Sequence, residues 1–245
     1  MHAFEARLAQ FVLDNRLLVI SISLVLVGLL SYGCVKLLPD TSYKAYFSED
    51  NPELIAFEKI ENTYTKNDNV IFVLAPKNQN VFTGETLSIV EELTIDSWQI
   101  PFSTRVDSIT NFQFTEAMED DLIVRDLYAD AMSMSADEQA LVNHVSTTEP
   151  ALAGKIHDKQ HRATSVNATI QMPGKSADEV AIVAAAARKM AAEIEAKHNV
   201  KIRLGGVIFL NNAFLESSML DMATLVPAMY LVILIVAYLL LRSIM

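Results

Sequence analysis

Two uninterrupted apolar blocks constrain this chain more than any other feature. Residues 17–38, LLVISISLVLVGLLSYGCVKLL, carry no charged side chain before Lys36, and residues 223–241, ATLVPAMYLVILIVAYLLL, carry none. A helix rises ~1.5 Å per residue, so about twenty residues cross the ~30 Å hydrocarbon core of a bilayer. The sequence therefore predicts two transmembrane helices. A cleaved secretory signal fits the first block poorly. Its apolar run exceeds the ~7–15 residues of a signal, residues 1–16 form an amphipathic lead rather than a short basic tip, and Pro39-Asp40 follows with no small-x-small pattern. A buried soluble helix is the plain alternative for the second block, and Pro227, near one end, is tolerated in a membrane helix.

Charge orients the spans. Arg7 and Arg16 precede the first block and Arg242 follows the second. Residues 39–221 between them hold 15 Lys and Arg against 28 Asp and Glu, a net charge of −13. Basic flanks favour cytoplasmic termini, which places the acidic loop outside. The same balance excludes nucleic-acid binding, which needs a basic footprint. Cys34, the single cysteine, lies inside the first block as a small packing residue, so the outer domain must be held by its own core.

The loop has a regular order. Asn51-Pro52-Glu53 predicts a capped helix start, and Leu54, Phe57, Ile60 and Tyr64 form a stripe expected to pack on something. Residues 70–75, VIFVLA, predict an interior strand. Thr83 caps a helix to about Trp98, residues 105–114 form a strand, and residues 162–172 alternate as another. Ser176-Ala177-Asp178-Glu179 is a capping box opening an Ala-rich helix to about His198, and residues 200–207 close with a strand. Residues 119–158 are set apart as a polar helical insertion, with 120–132 and 135–145 as two candidate helices. Without the insertion the order is β-α-β-β-α-β, the split βαβ or ferredoxin-like unit. After the last strand no breaker separates Leu210 from the second apolar block, so one helix runs from the domain into the span.

Local chemical motifs are weak. Residues 172–178, MPGKSAD, resemble the tail of a phosphate loop, but Thr169 stands where the first glycine is required. His157 and His161 are four apart, yet Lys155, Lys159 and Arg162 surround them and no carboxylate cluster completes a metal site, so a solvated turn is expected. Asn167-Ala168-Thr169 is a sequon within a predicted strand. Glu119, Asp120 and Asp121 read as the first turn of a helix rather than a calcium loop. No catalytic grouping is present in the local sequence, and the reading is that the chain is not an enzyme.

The stretches YFSEDNPELIAFEKIENTYTKNDNVIFVL, VDSITNFQFTEAMEDDLIVRDL and LGGVIFLNNAFLESSMLDMATLVPAMYLVILIVAYLLLRS resemble those of predicted exporters of the resistance-nodulation-division (RND) superfamily, in its MMPL-like branch. That branch is similar to hopanoid and mycobacterial lipid exporters and to sterol-sensing-domain relatives. The resemblance implies an α+β membrane protein: a cytoplasmic segment at 1–16, a span at 17–38, a periplasmic ferredoxin-like porter domain at 39–221, a second span at 222–242, and the start of a remainder at 243–245. It implies a multi-pass protein of the bacterial inner membrane that uses the proton gradient, without any other cofactor, to export hydrophobic or amphipathic molecules. Its partners would be the bilayer, the remaining transporter half and, as an open alternative, further copies of itself. The proton relay would lie beyond residue 245, since neither span has an ionisable residue at mid-depth. Tyr43, Tyr46, Phe47 and Phe57, near the membrane exit, are the candidate substrate entrance, with anchoring in the headgroup zone as the plainer role. The alternative from another class is an extracytoplasmic ligand-sensing domain of a two-span receptor or sensor kinase.

Overall fold

The computed structural model describes residues 7, 10–34, 43–64, 66, 68–118, 121–176 and 178–241. Residues 1–40 and 41–245 form two separate units. The first contains helix α1, Arg16–Cys34, apolar along its length. Residues 35–38 of the predicted first span, and with them Lys36, lie outside the described residues.

The second unit opens with a 3-10 turn at Tyr43–Tyr46 and helix α2 at Pro52–Thr63. Asn51 caps α2 as predicted, its side chain accepting the amide N–H groups of Glu53 at 2.9 Å and Leu54 at 3.3 Å. The α2 stripe behaves differently from expectation. Phe57, Ile60 and Tyr64 are 42%, 59% and 81% exposed, so the stripe does not pack into the core as expected.

Strand β1, Asp68–Ala75, is the centre of a four-stranded antiparallel sheet. Its alternation places Val70, Phe72 and Leu74 on the covered face, all fully buried. Helix α3, Gly84–Ser97, follows, with Thr83 accepting the amide of Thr86 as its cap. Strand β2 is Ser103–Asp107, β5 is Thr164–Ile170, helix α5 is Glu179–His198 and β6 is Lys201–Gly205. The strands lie in the order β2-β5-β1-β6. Helices α3 and α5 share the core with the sheet: Ile89, Val90 and Leu93 from one and Val183, Ala184 and Ala187 from the other pack against Phe72 and Val166. Alanines along α5 let that helix approach the strands closely, which explains why this apolar face uses small residues.

The insertion departs from the sequence reading in three ways. The predicted strand 105–114 is two strands, β2 and then β3 at Gln113–Met118, separated by a turn that Asn111 closes by accepting the Ser108 amide and donating to the Val106 carbonyl. Residues 121–126 of the first candidate helix are strand β4, Asp121–Asp126, paired with β3 in a two-stranded sheet. Only the second candidate is helical, as α4, Ala136–Thr148, opened by a Ser135–Glu138 capping box. The expected helical insertion is therefore a hairpin followed by a helix. It has a core of its own around Leu127, Tyr128, Val142 and Val145, joined to α3 through Leu87. The buried Tyr128 hydroxyl accepts from Thr110 and donates to the Leu87 carbonyl at 3.0 Å, and burial pushes its pKa up. The Glu91 carboxylate accepts the amides of Asp130 and Ala131, tying the insertion to α3 a second time.

Helix α6 runs Val207–Leu241 without a break and contains Pro227. It is long and apolar enough to cross a membrane by length and composition, whereas the apolar helix at Arg16–Tyr32 is shorter. Only Gly206, at φ +99°, separates it from β6, and a Cβ there would stand 2.4 Å from the Asn69 carbonyl oxygen. That close approach requires glycine.

Candidate functional site

The neck of the second unit is assembled from short-range signals. The 3-10 turn brings Lys44 to Glu61 of α2 as an ion pair and sets its ammonium 5.2 Å from the Phe57 ring centroid. Phe47, Asn51, Glu53, Leu54 and Phe57 then line a groove of about 230 Å³ with an apolar wall. Tyr46 takes a different partner: its ring lies 5.0 Å from Phe214 of α6 at 34°. Two of the four expected entrance residues, Phe47 and Phe57, thus share one groove, while Tyr46 joins the neck to α6. Tyr43 belongs to the 3-10 turn, and its side chain lies outside the described residues. Close by, burial and the Glu61 carboxylate raise the pKa of Asp68 above the ordinary carboxylate range.

A larger cleft of about 600 Å³ lies where the sheet meets the insertion. Arg105, Asp107, Asn111, Gln113, Lys155 and Asn167 give it a polar lining, with Arg105 donating to Asp107 at 2.8 Å. No sequence signal announces this cleft, because its walls come from residues 105–113, 151–156 and 167, which meet only through the topology of the insertion.

The discarded motifs resolve into structural roles. In the phosphate-loop-like stretch, the amides of Gly174, Lys175 and Ser176 all donate to the Glu179 carboxylate, at 2.8, 2.8 and 3.1 Å. An internal carboxylate thus occupies the place of an anion, and the amides have nothing left to offer a phosphate. Burial works against the charge on Glu179, but the three amides outweigh it and hold the pKa below the ordinary value. The expected capping box at Ser176 is corrected accordingly: α5 starts at Glu179, Asp178 makes no side-chain cap bond, and Ser176 Oγ donates to Asp178.

His157 is not in a solvated turn. It is 4% exposed, its ring nitrogens lie 2.6 Å from the Ser146 carbonyl oxygen and 2.9 Å from that of Asp158, and Phe82 packs edge-on against it. His157 and His161 have ring centroids 5.5 Å apart, but no group of three metal-ligating side chains occurs among the described residues. Asp121 opens a strand rather than a helix, and Glu119 and Asp120 lie outside the described residues. Asn167 of the sequon is fixed in β5, its side-chain oxygen accepting from Asn69 Nδ2 at 2.8 Å.

An aromatic neck, a mixed domain and a helix leading straight from its last strand into an apolar run make up the second unit. The model of the MMPL family matches residues 48–245. The chain belongs to the MMPL family. The match begins just after Phe47 and takes in α2, the sheet, the insertion and all of α6. MMPL-family proteins are membrane transporters of RND type rather than enzymes, and the family implies a membrane lipid environment and hydrophobic substrates. No curated protein matches this MMPL-family chain.

Proposed function

We propose that this chain forms part of a proton-driven RND-superfamily exporter that moves hydrophobic or amphipathic molecules out of the inner membrane. In this reading α1 and α6 are the two spans and the domain between them is a periplasmic porter-type unit. The strand order β2-β5-β1-β6, with α3 and α5 on one face, supports the ferredoxin-like assignment. The continuity of α6 carries the proposal. A helix that starts one residue after the sheet and continues into the apolar run transmits movement of the domain to the membrane without slack. The proton-carrying groups belong to other membrane helices, since α6 has no charged residue within 223–241.

The neck groove supplies the entrance. Its apolar wall and its place beside α6 suit a molecule arriving from the outer leaflet, with Phe47 and Phe57 as the lining and Tyr46 as the hinge onto Phe214. The test is efflux of a fluorescent amphiphile from vesicles carrying the complete protein, with and without a protonophore. Export that stops with the protonophore, and falls about tenfold in Phe57→Ala at unchanged expression, is the expected result. Export indifferent to the protonophore would remove the proton drive, and unchanged export in both Phe57→Ala and Tyr46→Ala would remove the neck from the pathway.

A further inference from the structure

The hairpin of the insertion has an unfinished edge. Strand β4 pairs with β3 on one side and with no strand on the other among the described residues, and all six of its residues are exposed. Three consecutive large apolar side chains lie on it: Leu122 at 72%, Ile123 at 41% and Val124 at 58% exposure. A two-stranded sheet is marginal alone, and an open edge with apolar side chains is a template for another strand. Natural edges are usually blunted by charge, bulges or proline, and the centre of β4 has none of these.

We propose that β4 joins two copies of this chain, edge to edge and antiparallel, into a four-stranded β3-β4-β4-β3 sheet. The sequence of β4, Asp-Leu-Ile-Val-Arg-Asp, selects both the partner and the register. With the two-fold axis on Ile123, Asp121 of each copy faces Arg125 of the other, Leu122 faces Val124, and Ile123 faces itself. Within residues 121–125 each charge then meets its opposite and each apolar residue meets an apolar one, the pattern that stabilises cross-strand pairs, while Asp126 stays outside the pairs. A shift of one residue either way fails. One direction sets Asp121 against Asp126 and Leu122 against Arg125; the other sets Asp121 against Val124.

The intramolecular contacts of β4 leave this register open. Arg125 is held above the Phe114 ring at 5.4 Å and lies 3.7 Å from Glu116, so its guanidinium is oriented while still 44% exposed. Asp126 lies beyond the paired stretch and accepts from Gln113 within its own hairpin at 2.6 Å. The contact is isologous, using the same patch on both copies, and it closes after two. Six residues a side fall short of the ~800 Å² per partner of a freely associating complex, so the contact needs copies confined to one membrane. In that respect it rests on reading α6 as a span.

The test uses the full chain in native membranes, with Cys34→Ala to remove the single thiol. Ile123→Cys in that background, treated with a short bis-maleimide, should yield a product of twice the chain's mass, and Ile55→Cys on α2 should not. Asp121→Arg added to Ile123→Cys should cut the product at least tenfold, because Arg would face Arg125. Exchanging both charges, Asp121→Arg with Arg125→Asp, should restore it. A second measurement avoids reliance on the double variant: Ile123→Lys sets two ammonium groups against each other and should abolish co-purification of two differently tagged copies. The proposal is overturned by absence of the Ile123→Cys dimer, by cross-linking to a chain of another mass, or by a product unaffected by Asp121→Arg. Carbonate extraction of the same membranes reads the span separately: a chain that is released yet still cross-links would refute the span and keep the pairing.

Discussion

Asn69 binds together three parts of the chain that are far apart in sequence. Its Nδ2 donates to Asn167 of β5, its Oδ1 accepts the Val207 amide at the start of α6 at 3.1 Å, and its carbonyl oxygen occupies the space where a Cβ on residue 206 would stand. Gly206→Ala is therefore expected to destabilise the chain by at least about 2 kcal/mol, combining a left-handed backbone with a main-chain clash. Denaturant unfolding followed through Trp98, the sole tryptophan, reads that loss. Glu179 gives a pH prediction. Its carboxyl is held below the ordinary value of 4.5, so the stabilisation it gives the 174–176 loop is complete above that value and is lost as pH falls through the lowered one. Protection of the Gly174, Lys175 and Ser176 amides against hydrogen exchange should drop in that window, and in Glu179→Gln it should be weaker at neutral pH and flat across the window. These residues also show what a sequence discloses. The Asn51 cap was legible because it bonds amides two and three residues on, whereas Asn69 caps a helix 138 residues away. Serine and glutamate at 176 and 179 fit the capping-box pattern, but the glutamate gathers the whole preceding loop, and α5 starts later than the pattern implies.

At the scale of elements, strands with one buried face and helices with marked ends were readable from alternation and caps. Strand β1, helix α3 and strand β5 lie where period and capping place them, and helix α5 follows its predicted course from a later start. The hairpin was not readable. Ile123 with Leu127 and Val124 with Tyr128 are four apart, a spacing that fits a helix, and the competing signal, the β-branched pair Ile123-Val124, acts only because β3 lies opposite to pair with it. The α2 stripe was read correctly as a stripe, but Phe57 and Ile60 remain largely exposed rather than packed into the core. Helices α5 and α6 meet through a two-pronged contact. Arg188 donates to the Glu216 carboxylate at 2.6 and 3.1 Å, Asn212 adds a third bond at 2.9 Å, and the guanidinium lies over Phe209. The acceptor lowers its own pKa by these bonds and raises that of Arg188. Half-exposed pairs contribute little to global stability, so Arg188→Ala should leave the unfolding midpoint nearly unchanged. Its expected effect is local: amide exchange in the first turns of α6 should quicken about two- to fivefold, measured by mass spectrometry on residues 207–216.

At the scale of the molecule, membership of the MMPL family rests on residues 48–245, so α2 and α6 are as much part of the family pattern as the sheet, while the turn at Tyr43–Tyr46 precedes the match. The candidate site was legible only in part. Aromatic residues beside a predicted span marked the neck, and two of them do share a groove, but the groove's polar rim and the larger cleft by the insertion depend on folding. The junction at Gly206 has a mechanical consequence. With 35 residues at ~1.5 Å each, α6 is about 50 Å long, and one glycine leaves no linker in which rotation of the sheet could dissipate. If β6 and α6 turn together by about 10°, the far end of the helix sweeps about 9 Å, roughly the distance between the axes of two packed helices. Small rotations at the domain are thereby geared up to displacements large enough to exchange one set of neighbours for another at the far end of α6.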